Sequence, residues 1–457
     1  MSEPDDVVQD EQHELDDQEW LDEQLDALIG AFDISEDAAL AAITLASLAH
    51  EIGDLVADAA EHGDLEEGAQ RLEAYAAQVL ASPPGASDDD PGEGLDADAV
   101  LALCALLAEP DTAEATLSQV MNSSAVLDSD DDDVAVGRIA AMGLGVLAES
   151  LEERAPLAAR AALAWLQARS HEILGGLEDA QQQHERALSI DPGWSPALYD
   201  LARIASDRGD AALGLSLLRR SEAREDDVLV DMLQRFVPRD RADIDRIDPC
   251  WCGSGRKYKV CHRGREVLTL AERIPWLVAK ADLHLSYGHA RIELHDLADW
   301  WAAAQRDPEA VLDAIADPVL RDAVLFAGGG LAAFEAERGS LLPVDEAALL
   351  PALQSAPRGV YLVEDTGRAT VRVRPVGDVA DPAAREVSAT SLAGVRRGET
   401  VCARLLQVED VWHAVGCVEL VAADAAAGLA RALADEPPPY AVVQAMFDAM
   451  PQSPDVR

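Results

Sequence analysis

Residues 161–223 read AALAWLQARSHEILGGLEDAQQQHERALSIDPGWSPALYDLARIASDRGDAALGLSLLRRSEA. Gly175 and Gly209 stand 34 residues apart in this stretch, each at the turn between two segments of helical periodicity. Ala180 is matched one period later by Gly214, and small residues at such places let paired helices approach closely. The first copy ends Ala187-Leu188-Ser189-Ile190-Asp191-Pro192, and Pro192 stops its second helix. The spacing predicts two helix–turn–helix units in tandem over 161–237.

The period of 34 and the small residues at the helix crossing resemble two tetratricopeptide repeats. The likeness is incomplete: Ala164, Gln167 and Ala168 replace the aromatic and the Leu-Gly pair usual in the first helix. Two repeats cannot bury their own faces, so the helical region 19–160 is expected to stack on them and extend a solenoid. Such a stack reads either as a concave peptide-binding groove or as a scaffold that only packs. Within that region Trp20, Leu21, Leu25, Leu28 and Ile29 fall at helical spacing, and Asp37–Val56 reads as a second helix with a buried face. Residues 1–18 are acidic and poor in apolar side chains, which predicts a disordered tail. The acid runs Asp88–Asp90 and Asp130–Asp133 lack the alternating aspartates, turn glycine and terminal Glu of a calcium loop, so they read as linkers or helix N-termini.

The densest chemistry lies in 245–266, where Asp248-Pro249-Cys250-Trp251-Cys252-Gly253-Ser254-Gly255-Arg256-Lys257-Tyr258-Lys259-Val260-Cys261-His262 has the pattern C-x-C-x8-C-H. Three thiolates and one imidazole are the four ligands that a tetrahedral Zn²⁺ prefers. Cys250 and Cys252 can hold two positions from one turn, Gly253 and Gly255 permit the tight return, and Cys261 and His262 close the site. With all four positions filled by protein, the expected Zn²⁺ is structural, not catalytic. Arg256, Lys257, Lys259, Arg263 and Arg265 crowd the same segment. A Cys₃His zinc centre carries about one net negative charge, fewer than these five bases would offset. They are candidate contacts for an acidic partner, with pairing to the protein's own acids as the other reading.

This segment resembles the SEC-C motif, the zinc-binding tail of the preprotein translocase ATPase SecA, in its C-G-S-G turn and its K-Y-K run before the last Cys-His. The resemblance covers roughly twenty residues and implies contact with an acidic chaperone or with the ribosome. No G-x-x-x-x-G-K-[ST] loop accompanies it, so no ATPase activity is expected.

Downstream, 267–355 reads as helical. Gly359–Val363, Ala369–Val376, Glu386–Thr390, Thr400–Val408 and Val411–Val421 are alternating or β-branched runs separated by Gly, Asp and Pro. Five short antiparallel strands over 356–422 predict a small SH3-like or OB-like barrel, followed by helices over 423–450. Leu325–Val421 is similar to the C-terminal part of a family of bacterial proteins that carry a SEC-C motif and a small β module. The matching residues are Glu337-Arg338-Gly339, Leu342-Pro343-Val344-Asp345-Glu346, Arg358-Gly359-Val360-Tyr361, Gly398 to Arg404 and Gly416-Cys417-Val418. Cys402 and Cys417 fall mid-strand and read as core residues. His284, His289 and His295 with Glu293 do not share one helical face, which argues against a second metal site. Gly328-Gly329-Gly330 reads as a helix break, and Gly253-Ser254-Gly255 lacks the G-x-S-x-G spacing of a nucleophile elbow.

The charge balance bounds the rest. The 457 residues carry 86 acids against 36 bases, a net charge of −50. Phosphate backbones are repelled by such a chain, so DNA is not an expected partner. The longest apolar stretch, Ala38–Ala49, is too short for a membrane span, and the MSEPDD start has no basic leader, which predicts a cytoplasmic protein without membrane insertion. The sequence thus reads as an α+β multidomain chain: a mainly α-helical repeat half, a zinc knuckle, then helices and a five-stranded barrel-like module. The expected role is a non-enzymatic protein-interaction adaptor in export, translation or proteostasis. The alternative is an enzyme with an unrecognised active site in the C-terminal half.

Overall fold

The computed structural model describes residues 20–61, 97–122, 132–239, 244–250, 254–261, 263, 267–305, 310–377, 381–434 and 437–451. The acidic tail 1–18 and the run Asp88–Asp90 lie outside them. The chain divides into two compact units. One runs to Ala202 and includes Ser216–Ala223; the other takes Arg203–Leu215 and the chain from Arg224 onward.

The first unit is helical. Helix Glu36–Glu61 crosses helix Asp132–Glu152 with the backbones nearly touching. A Cβ at Gly143 would stand 1.8 Å from the Ala49 carbonyl oxygen, and one at Gly53 would stand 2.4 Å from that of Ile139. Only glycine tolerates such approach. Leu45, Leu48, Ile52, Leu144 and Leu151 fill the space beside the crossing. An alanine-rich composition suits this geometry, because small side chains let the helices themselves close the gap. Trp165 is a large exception; its indole N–H donates to Asp200 Oδ2 at 2.8 Å in the buried interior.

Gly175 and Gly209, the two markers of the period, have φ of 86° and 81°. Gly175 separates Leu157–Ile173 from Leu177–Ile190, and Gly209 separates Ser195–Asp207 from Ala211–Arg220. The left-handed conformation explains the residue type. Helix Leu177–Ile190 stops where the sequence says it must: Asp191 is extended, at φ −128° and ψ 103°, directly before Pro192.

In the second unit, helices Leu270–His284, Arg291–Gln305, Pro318–Ala327 and Gly330–Arg338 precede the strands. Their starts are written in the sequence. Thr269 and Glu272 form a reciprocal capping box, and Asp317 Oδ1 accepts from the Val319 and Leu320 amides at 2.7 and 3.3 Å. The glycine run breaks the helix as expected, with Gly329 at φ 81°. A polar network ties Arg203–Leu215 to these helices. The Trp276 indole donates to Ser206 Oγ at 3.2 Å, Lys280 Nζ to the Asp207 carbonyl at 3.2 Å, and Arg338 Nε to Asp207 Oδ2 at 2.7 Å.

The strands β1 (Arg358–Thr366), β2 (Thr370–Pro375), β3 (Arg385–Ser388), β4 (Thr400–Val408) and β5 (Val411–Val421) close into a barrel in the order β1-β2-β3-β5-β4. Of the two barrel types expected, this Greek-key order is the OB-like one. The expectation of an all-antiparallel barrel is corrected: β3 and β5 pair in parallel, Val387 opposite Trp412. A closed ring with an odd number of strands cannot alternate direction at every seam, so one parallel pair is unavoidable. Tyr361, Val363, Val373, Val401 and Leu405 form the barrel's own core. Their alternating neighbours Val360, Cys402 and Leu406 join the helical core with Leu320, Phe334 and Val443. β4 is therefore buried on both faces, one toward the barrel's own core and one toward the helical core.

Candidate metal centre

The segment around the cysteines folds on itself through backbone pairing. Pro249 bridges Lys257 in antiparallel register. Proline has no amide proton, so the bonds fall on its neighbours: Cys250 N–H donates to the Arg256 carbonyl at 2.7 Å, and Tyr258 N–H to that of Asp248 at 2.8 Å. Gly255, at φ 70°, makes the return. The short helix Tyr258–Cys261 follows at once, with the Tyr258 side chain buried as its anchor. Lys259 N–H donates to the Arg246 carbonyl at 2.9 Å and Arg263 N–H to that of Tyr258 at 3.2 Å, which ties both ends of the hairpin to the helix.

Of the four expected ligands, Cys250 is buried on the first strand of the hairpin and Cys261 is half-buried on the helix. Cys252 and His262, with the base Arg265, lie outside the described residues. The donor chemistry that is described fits a soft divalent cation. Ser254 Oγ lies 3.3 Å from Cys261 Sγ, within hydrogen-bond reach. Bonds of this kind from outside the ligand set hold a thiolate in its metal-binding form. The bases are placed on the outside: Arg256, Lys257, Lys259 and Arg263 are exposed, and Val260 and Ile247 are exposed beside them. Among the described residues, none of these four basic side chains enters an ion pair or hydrogen bond. Arg273, Arg338 and Arg358, by contrast, are all paired with carboxylates.

The histidine group read from the sequence is partly reassembled around a residue that reading missed. His284 Nε2 and His289 Nδ1 each lie 2.7 Å from an oxygen of Glu337. Gly288 makes room for this, since a Cβ there would meet His284 Nε2 at 2.4 Å. Burial works to raise the Glu337 carboxyl, but hydrogen bonds from the two imidazoles hold it down at about 2. Burial lowers the His284 imidazole against the pull of the same carboxylate. His295 and Glu293 do not join this cluster's hydrogen bonds, and among the described residues no group of three or more His, Cys, Asp or Glu is arranged to hold a metal. Cys402 is fully buried and Cys417 half-buried; burial raises both thiols, as it raises Cys104 to about 12. Such thiols stay protonated, which suits core positions.

A family model described as the SEC-C motif matches residues 248–264. The match begins at Asp248, whose carbonyl accepts from Tyr258, and spans the hairpin and short helix; the chain contains a SEC-C motif. No curated protein and no solved structure matches the chain. Among the described residues no helix is long and apolar enough to cross a membrane.

Proposed function

We propose that the protein is a non-catalytic interaction adaptor whose SEC-C knuckle binds a structural Zn²⁺ and presents its bases to an acidic partner. The observation that carries this reading is the set of four exposed, unpaired bases on the knuckle of a chain with net charge −50. A protein with so many acids has the means to neutralise its own arginines, as it does at Arg273, Arg338 and Arg358. Bases left in solvent are available to an external negative surface, where complementary charge speeds encounter and sets orientation.

In this reading Cys250, Cys252, Cys261 and His262 hold the metal. Zn²⁺ supplies cross-linking: it fixes the hairpin to the short helix and so fixes the spacing of Arg256, Lys257, Lys259, Arg263 and Arg265. The helix pairs around Gly175 and Gly209, read as tetratricopeptide-like repeats, would give the partner a second place to dock. An acidic protein surface is the favoured partner, and ribosomal RNA is the other source of the same charge.

The test is binding of the full chain to a fluorescent poly-glutamate peptide and, separately, to purified ribosomes, at low and high salt. Lys257→Glu with Lys259→Glu should weaken the productive interaction at least about tenfold at low salt, and Cys250→Ser should reproduce the loss. Binding unchanged by both variants would sink the proposal.

A further inference from the structure

A second region of this acidic chain gathers positive charge. In the second unit, a cavity of about 850 Å³ lies between β1 and β2 of the barrel and the C-terminal helices Ala426–Ala432 and Pro439–Ala449. That volume is in the range of small-molecule sites. Arg358, Arg385, Arg404 and Arg431 line it, and among the described residues Asp381 is the one acid in its wall.

The pairing of these arginines is uneven. Arg358 is the most closely paired: its Nη2 hydrogen-bonds the buried Asp322 carboxylate, although its Nε too is buried without a partner. The other oxygen of Asp322 accepts the Cys417 amide at 2.6 Å. Arg404 is left with the remainder. It lies 3.7 Å from the same Asp322 carboxylate, donates through Nη1 to the Ala356 carbonyl at 3.0 Å, and has an Nε that is buried without a hydrogen-bond partner. Arg385 sits over the Trp412 ring at 4.6 Å and reaches the Tyr361 hydroxyl at 3.3 Å. Its nearest carboxylate, on the exposed Asp381, is 3.8 Å away, and its Nε is also buried without a partner. Among the described residues, these four guanidinium groups have two carboxylates within ion-pair reach, Asp322 behind the wall and Asp381 in it. Burial lowers Arg404 to about 10, the sign of a cation whose surroundings under-compensate its charge.

Buried donors without acceptors are rare in folded proteins, and a bound group that accepts from them is a direct explanation. Apart from Gln354 and the Tyr361 hydroxyl, the rest of the wall is apolar. Val360, Leu433 and Val442 are buried side chains of the cavity lining, and Phe326 lies under Arg404.

We propose that this cavity is a binding site for a small organic anion. Arg385 and Arg404 take its carboxylate or phosphate head, and Leu433 and Val442 take its apolar body. Guanidinium groups suit both head types, since their planar fork matches two oxygens of either. The site does not use the zinc knuckle, so this proposal and the adaptor reading stand or fall separately.

The experiment is isothermal titration of the full chain with octanoate, octyl phosphate, inorganic phosphate and neutral octanol. One of the two octyl anions should saturate a single site, and the stronger of them identifies the head group. Octanol and inorganic phosphate should each bind at least about tenfold more weakly, since each supplies half of the recognition. Arg385→Gln should weaken the octyl anion by at least about tenfold. Ala434→Trp at the exposed rim should do the same by filling space, without touching a charge. Cys250→Ser should leave the affinity unchanged. If neither octyl anion saturates a site at millimolar concentration, the proposal is wrong. It is equally wrong if Arg385→Gln and Ala434→Trp, both melting like the parent, bind as tightly as the parent.

Discussion

Lys280 Nζ and Glu346 Oε2 form an ion pair at 2.7 Å with neither side chain exposed to solvent. Lys280 also lies 4.4 Å over the Trp276 ring, and Arg273 shares the Glu346 carboxylate. Burial lowers the Lys280 ammonium while Glu346 works to raise it, so the charge depends on its partner. Removing Lys280 leaves the buried Glu346 carboxylate with one cation, Arg273, in place of two. Lys280→Met is expected to destabilise the second unit by about 3 kcal/mol, and the double variant Lys280→Met, Glu346→Leu to recover part of that loss. Urea unfolding followed by circular dichroism would measure both; a single variant as stable as the parent would contradict the pairing.

The Glu337 cluster predicts acid sensitivity of definite sign. The folded carboxyl titrates near 2 against an ordinary 4.5, so its contribution is fully present above 4.5 and is lost as the pH falls toward 2. That contribution is on the order of 3 kcal/mol. The lowered His284 acts in the same direction. Its neutral form is favoured by folding, so stability falls as the pH drops below its ordinary 6.5. Glu337→Gln should therefore differ most from the parent at neutral pH, and the difference should shrink between pH 4.5 and 3. Unfolding free energies measured from pH 3 to 7 would settle it; a constant gap would show that the carboxylate is not held by the imidazoles.

Metal analysis of the purified chain should find one Zn²⁺ per chain, lost on Cys250→Ser with Cys261→Ser. Structural zinc in small knuckles has an apparent binding free energy of about 10–16 kcal/mol, so its removal should unfold residues 245–266. Helical circular dichroism should barely change, because the knuckle contributes one short helix, Tyr258–Cys261. Absence of zinc from the parent would refute the ligand assignment.

Two glycine-to-alanine changes should have opposite signs. At Gly143 the added Cβ would collide with the Ala49 carbonyl, and separating the helices should cost about 1–3 kcal/mol or more. At Gly30, in the helix over 20–32, nothing lies within 4 Å of the new atom, and alanine should stabilise by about 0.4–1 kcal/mol. Thermal melts of the two variants on the same side of the parent would contradict the close crossing.

These contrasts also explain what could be read from sequence. Gly175 and Gly209 were legible because a left-handed turn selects glycine locally, and Pro192 because a helix cannot run through it. The strands were legible within a few residues because alternation is written along each one; Thr400–Val408 and Val411–Val421 coincide with their expected ranges. The parallel seam was not, since it follows from closure of the whole ring. Glu337 was invisible as a partner of His284 because 53 residues separate them and only the return of helix Gly330–Arg338 brings them together. The arginine cavity was hidden for a similar reason: Arg358, Arg385 and Arg404 lie on three different strands, and no local pattern joins them.

The parallel seam gives the barrel a preferred line of failure. β4 and β5 are paired from Thr400 opposite Val421 to Val408 opposite Val411, with one register shift between Cys402 and Arg404, while β3 meets β5 at Val387 opposite Trp412. β4 and β5 are also adjacent in sequence, so their hairpin forms cheaply, whereas the β3–β5 contact must wait for a longer loop to close. Pulled from its ends or sampled by amide exchange, the barrel should come apart like a cask at its weakest joint, between Val387 and Trp412, with the β4–β5 hairpin the last piece standing.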